Sequence, residues 1–251
     1  MKILLTNDDG YFAAGLRTMY DALAADHQHE IYVVAPEGQR SAVGRSITLF
    51  QPIFVTHHSL PDNHIGVSVN GTPTDCVKLA IQGDILPAKP DLIISGINHG
   101  PNLGSDVFYS GTVAAAMEGA LLGIRSIAVS LANYDYEDYM PSALLIKRLI
   151  DTNSPLLQYQ SGLLNINVPP CDREEWKGKR VTRLGRSVYD NAFENRKSPY
   201  GREYYWITGT LVFEEEQDTD LRAIQEGYVS VTPLHCDLTD YERLKTMGDL
   251  L

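Results

Sequence analysis

Cysteine is scarce: Cys76, Cys171 and Cys236 are the only three in 251 residues, far apart and without a C-x-x-C spacing. That argues against a disulfide-stapled scaffold and a zinc ribbon, both of which need closely spaced thiols. Basic charge is also in deficit, with 21 Lys and Arg against 32 Asp and Glu and a formal net charge of −11. Nonspecific binding to duplex or RNA draws its affinity from cations that neutralise phosphates, so no such binding and no nucleic-acid duplex partner is expected. A small anionic ligand held by a metal ion or by backbone N–H groups stays open. Long apolar runs are missing as well, and the opening K-I-L-L-T-N is far too short for a signal peptide or a membrane span. No internal repeat or low-complexity segment occurs. With 43% hydrophobic and 21% charged residues the chain can bury a sizeable core. The expectation is a soluble, reduced, cytoplasmic globular protein of one to two domains, with no membrane partner.

Short apolar runs alternate with helical patterns through the first two thirds. Strands are predicted over Lys2–Thr6, Ile31–Ala35, Leu92–Ile97, Ile127–Leu131 and Leu163–Val168, each short, rich in Ile, Leu or Val and closed by turn residues. Helices are predicted over Gly15–Ala25, Gly111–Leu122 and Ser142–Ile150. This alternation implies right-handed βαβ units and an α/β fold with a Rossmann-like, mostly parallel sheet over residues 1–176. From about Lys177 the pattern changes. Arg180–Leu184, Tyr204–Thr208 and Thr210–Phe213 read as hairpin strands, Tyr228–Thr232 as one further core strand and Asp240–Met247 as a short tail helix. Residues 177–251 therefore read as a C-terminal extension whose hairpin serves as an oligomerisation arm, since a lone hairpin is marginal in water.

Asp8 and Asp9 follow the first strand directly, in L-L-T-N-D-D-G. Ligands of open α/β sheets bind beyond the carboxyl ends of the strands, which is where this pair stands. Adjacent carboxylates repel, and a hard divalent ion would compensate them; as a plainer alternative, they cap the following turn. Asn98 closes the third strand in I-I-S-G-I-N-H-G-P-N-L-G, either as a neutral oxygen ligand or, with Asn102, as a turn residue. His99 beside it is a second candidate ligand or acid, but a lone loop histidine is more often neither. Ser110, Gly111 and Thr112 open an Ala-rich helix, where an N-cap and free N–H groups suit a phosphate as well as an ordinary helix start. That string is neither a Walker A loop nor G-x-G-x-x-G. Ser41 lies in a loop with Arg40 and Arg45 that would meet an anion or simply face water. The aromatic run Y-G-R-E-Y-Y-W from Tyr200 to Trp206 reads as a packed hairpin or subunit interface before a base-stacking surface.

The motifs I-L-L-T-N-D-D-G, R-S-A-V-G-R-S-I-T, N-G-T-P-T-D-C-V, S-G-I-N-H-G-P-N-L-G, Y-S-G-T-V-A-A-A-M-E-G and N-I-N-V-P, with the later T-R-L-G and E-G-Y-V-S-V-T-P-L, resemble in order those of the SurE (stationary-phase survival) family of metal-dependent nucleotidases. The resemblance covers nearly the whole chain. It implies a phosphohydrolase acting on nucleoside 5′-monophosphates, also on 3′-monophosphates and short polyphosphate, through a metal-activated water. It further implies one divalent ion per subunit, Mg²⁺ or Mn²⁺, with ligands at Asp8, Asp9, Ser41 and Asn98, and phosphate contacts at Asn98, Ser110, Gly111 and Thr112. Asp8, Asp9 and Asn98 become the catalytic candidates, with either acid as the base. The arm, expected to be exchanged between subunits of a homodimer or homotetramer, departs from the family at Ser198, where Asp is expected. Two rival enzymatic or signalling readings fit less well. A covalent aspartyl-phosphate phosphatase wants D-x-D where this chain has N-D-D-G, and a receiver-like domain wants an Asp where Asn98 stands and a Lys after Ile127–Leu131. A nucleotide-binding regulator without turnover remains the other alternative.

Overall fold

The computed structural model describes residues 1–158, 162–212 and 216–248. In chain order the elements are β1 (Lys2–Thr6), α1 (Ala14–Ala24), β2 (Glu30–Pro36), β3 (Val55–Ser59), β4 (Ile65–Val69), α2 (Pro73–Gln82), β5 (Leu92–His99), α3 (Gly111–Leu121), β6 (Arg125–Leu131), α4 (Met140–Asp151) and β7 (Leu163–Val168). There follow β8 (Lys179–Val181), β9 (Val188–Asp190), β10 (Phe193–Lys197), β11 (Glu203–Ile207), β12 (Thr210–Val212), α5 (Asp220–Gln225), β13 (Val229–Leu234) and α6 (Tyr241–Gly248). The central sheet runs β3-β4-β2-β1-β5-β6-β7-β13-β8. Its middle six strands are parallel, β3 and β13 run antiparallel to β4 and β7, and β8 pairs in parallel with β13.

Alternation along β1 divides the core. Ile3 and Leu5 pack among Leu16, Met19 and Leu23 of α1 and Ile146 and Leu149 of α4. Leu4 packs with Val34, Val67, Ile93, Val77 of α2 and Ala115 of α3. Helices thus cover both faces of the sheet, so the central strands are apolar on both sides, as the continuous I-L-L and L-I-I runs require. Because β2 lies on one side of β1 and β5 on the other, the chain reverses its direction of travel at β1 and leaves a crevice there.

Several elements escaped the sequence reading. β3 is the edge strand of the sheet, where His57, His58 and Ser59 give no apolar signal, and β4 lies between it and β2. α2 was missed although T-P-T-D is a capping box: Thr72 Oγ1 accepts from Asp75 N at 3.1 Å, and Asp75 Oδ2 accepts from Thr72 N at 2.9 Å. The segment expected at Arg180–Leu184 contracts to β8 and joins the central sheet, not a hairpin; it shows three register pairs with β13. The strand expected at Tyr204–Thr208 is β11, and it pairs with the unpredicted β10, while β12 pairs with β9. Gly209, at φ +124, separates these two small ladders. Phe213, expected to end a strand, lies outside the described residues.

Candidate functional site

The crevice beyond β1 and β5 collects most of the predicted site residues. Thr6 pairs with Ser95, so the chain leaving β1 at Asn7 emerges beside the chain running on to Asn98. Asn7 closes the turn that displays the two acids: its side chain donates to Gly10 O at 2.9 Å and accepts from Gly10 N at 3.2 Å. Gly10 has φ +109, and a Cβ there would come within 3.1 Å of Gly38 Cα, so this turn and the loop after β2 meet backbone to backbone. Beyond it, Tyr11 N donates to Pro36 O at 2.7 Å.

Asp8 is 5% exposed, and its Oδ1 accepts a very short hydrogen bond from Thr112 Oγ1. Burial is the main force pushing its carboxyl up, to about 6; Thr112 opposes the shift and the charge of Asp9 adds to it. Asp9 is raised as well, again chiefly by burial, against the His99 N–H that donates to Asp9 Oδ2 at 3.1 Å. Gly111 is what lets α3 approach: a Cβ on it would stand 2.7 Å from Asp8 Cβ and 2.8 Å from Oδ2. Ser110 caps α3 by accepting from Val113 N at 3.0 Å, leaving its own O–H free to donate. Thr112, by contrast, has its hydroxyl turned onto Asp8.

Asn98 follows a register shift in the β5–β6 pairing, and its Nδ2 donates to Gly100 O at 2.9 Å, leaving the amide oxygen as acceptor. Ser41 joins the site only indirectly. Arg40 N donates to Asp8 O at 2.6 Å, which seats the loop beside the acids, but Ser41 is exposed and its Oγ accepts from Gln39 Nε2 at 3.0 Å. Among the described residues no hydrogen bond links Ser41 to Asp8 or Asp9. The loop is fastened again by Gly44 N to Tyr109 O at 2.9 Å, and by Thr48 N and Oγ1 to Asp75 at 3.0 and 2.6 Å.

Some supporting residues escape the sequence reading, and Asn102, expected there only as a turn residue, has a larger role. Asn102 is buried. Its carbonyl accepts from Asn165 Nδ2 at 2.8 Å and Asn167 Nδ2 at 3.0 Å, and its Nδ2 donates to Ser130 Oγ at 2.8 Å. The signal was present in N-I-N-V, where two amides interrupt an otherwise apolar strand. Asp220 is buried too: its carboxylate accepts from Gly104 N at 2.8 Å and from Gly185 N and Leu221 N at 2.9 Å, tying the segment after Asn98 to the C-terminal extension. No spacing in the sequence points to that contact.

Among the described residues no group of three or more His, Cys, Asp or Glu side chains is arranged to hold a metal. A cation in this crevice would therefore rely on two carboxylates completed by neutral oxygens, a set suited to hard divalent ions.

Residues 3–191 match the family model described as Survival protein SurE. The 5′-nucleotidase SurE of Desulfitobacterium hafniense is 60% identical over 251 residues, covering 100% of this chain and 97% of that protein. The 5′-nucleotidase SurE of Pelotomaculum thermopropionicum is 49% identical over 257 residues, covering 100% and 95%. The crystal structure of the SurE protein from Aquifex aeolicus superposes with a TM-score of 0.84 at 39% identity, covering 100% of this chain and 99% of that one.

Proposed function

The chain belongs to the SurE family, and from that premise we propose that it is a metal-dependent 5′-nucleotidase, a nucleoside monophosphate phosphohydrolase centred on Asp8 and Asp9. The observation that carries this reading is the buried, like-charged acid pair at the β1/β5 crevice, with the first turn of α3 against Asp8. Both carboxyls are held above their ordinary range, and no Lys or Arg among the described residues forms an ion pair with either, so a divalent cation fits the charge that the fold leaves uncompensated.

Asp8, Asp9 and the Asn98 amide oxygen would hold one such ion per subunit, Mg²⁺ or Mn²⁺, with Ser41 completing the set. When bound, that ion supplies neutralising charge for phosphoryl oxygens and acidifies water. The rest falls to the chain. The Ser110 O–H and the Gly111 N–H at the start of α3 hold phosphate oxygens as charge develops. Thr112 fixes the Asp8 carboxylate, the His99 N–H fixes Asp9, and one of these acids accepts the proton of the attacking water. Nothing in these contacts reads which sugar hydroxyl carries the phosphate, so 3′-monophosphates and short polyphosphate are included as substrates.

The proposal extends to assembly. In the hairpin of β10 and β11, Trp206 is 58% and Ile207 83% exposed, which suits pairing with a second copy in a dimer or tetramer. The three free thiols suit a reducing cytoplasm. No helix among the described residues is long and apolar enough to cross a membrane.

Phosphate release from nucleoside 5′- and 3′-monophosphates with Mg²⁺, Mn²⁺ or EDTA, beside Asp9→Asn, tests the activity. Metal-dependent release that vanishes in the variant is expected. Nucleotide binding without release under any metal would make the protein a regulator, and a phospho-aspartate trapped by rapid quench would replace direct water attack.

A further inference from the structure

The loop between β6 and α4 brings a second kind of chemistry to the acid pair. Tyr134 in that loop is 67% exposed, yet its ring is firmly seated. It stands edge-on to the His99 ring, centroids 6.0 Å apart at 78°, and it lies on Gly100, where a Cβ would fall 2.1 Å from the ring's Cε1. Gly100 has φ +112, so both its conformation and its lack of a side chain make room for this ring. The support leads directly to the site, because the same His99 gives its backbone N–H to Asp9. The neighbouring tyrosines are already engaged: Tyr139 bonds His99 Nδ1 at 2.9 Å and Tyr189 donates to Asp106. Tyr134 forms no hydrogen bond with any described residue. Desolvation, and then the charges of Asp106, Asp9 and Asp8, hold its phenol above the ordinary range.

We propose that Tyr134 is the platform on which the substrate's nucleobase stacks, so that a nucleotide is gripped at its base as well as at its phosphate. This rests on the nucleotidase reading and deepens it. A ring with two side-chain torsions, already seated, loses little entropy when a flat ligand covers it. Every base presents a π-face, so the platform accepts all of them while rejecting sugar phosphates that lack a base.

The test compares a nucleoside 5′-monophosphate with ribose 5-phosphate in the metal-loaded protein and in Tyr134→Phe and Tyr134→Ala, with calorimetric binding of adenosine alongside. Tyr134→Ala is expected to raise KM about tenfold more for the nucleotide than for ribose 5-phosphate, with kcat little changed, and to abolish adenosine binding. Tyr134→Phe retains both properties. Equal changes for the two substrates, or an unchanged nucleotide KM, would overturn the inference. If the protein binds adenosine through Tyr134 but hydrolyses neither ester, the hydrolase reading falls and the platform stands. Turnover with no dependence on Tyr134 has the opposite meaning.

Discussion

Asp8 sits where burial and the charge of Asp9 both act against a carboxylate, with Thr112 as its principal compensation. Its carboxyl moves from 3.8 to about 6 in the metal-free fold, so between those values the folded chain keeps a proton that the unfolded chain has released. Stability from this group is greatest below the lower value, falls as pH rises through the window and is flat above about 6, a loss on the order of 3 kcal/mol. Denaturant titration of the metal-free protein at about pH 4 and about pH 7.5 should show that loss in wild type and not in Asp8→Asn; parallel pH dependences would refute it. Added Mn²⁺ should restore stability at the higher pH in wild type only. In catalysis, either Asp8→Asn or Asp9→Asn should cut kcat by roughly 10²–10⁴-fold, read by phosphate release at saturating substrate. Gly111→Ala acts on the same atoms by crowding: its new methyl would overlap Asp8, and the expected cost is about 1–3 kcal/mol together with a fall in turnover. A thermal melt within experimental error of wild type would sink that account. The acids themselves were legible, since N-D-D-G follows an unmistakable strand. The role of Gly111 was not, because a missing side chain announces a close approach only when the other side of the contact is known.

At the scale of elements, the helix start and the loop explain each other. Asp75 completes the capping box of α2 and also holds Thr48, while the Thr72 hydroxyl donates to Ser46 O at 2.8 Å. One buried carboxylate therefore starts a helix and anchors the loop that carries Arg40 and Ser41. Asp75→Ala should cost about 1–2 kcal/mol through the cap and free the loop. Limited trypsin digestion would show this as faster cleavage after Arg45, which is exposed; an unchanged cleavage rate would mean that the Arg40 and Gly44 backbone bonds hold the loop alone. β3 was harder to read than β1 or β5, because an exposed edge strand with polar residues lacks the continuous apolar run of a strand buried on both faces.

At the scale of the whole molecule, the strand order makes the site. The sheet places β5 beside β1 although their first residues, Leu92 and Lys2, stand 90 positions apart in the chain, with α1, β2, β3, β4 and α2 between them. Asp220 joins the Gly104 and Gly185 backbones, so the extension after β7 is tied to the segment that follows Asn98. Among the described residues the β10–β11 hairpin has no such anchorage, and every residue of both strands is exposed. Replacing Trp206 and Ile207 by Asp should lower the mass measured by sedimentation to that of one chain while the core keeps its melting transition; an unchanged mass would locate the interface elsewhere.

What the sequence by itself determined is whatever depends on near neighbours. Strand and helix periodicity, the turn after β1 and the motif order all rest on residues a few positions apart, where local sterics and burial act directly. Only the tertiary structure decided that Thr112 turns onto Asp8, that Asn102 is a buried hub, that Ser41 is held through Arg40 and that Tyr134 stands beside His99. Each of these contacts joins segments distant in sequence and exists only once the sheet has brought those segments together. No local pattern contains that information.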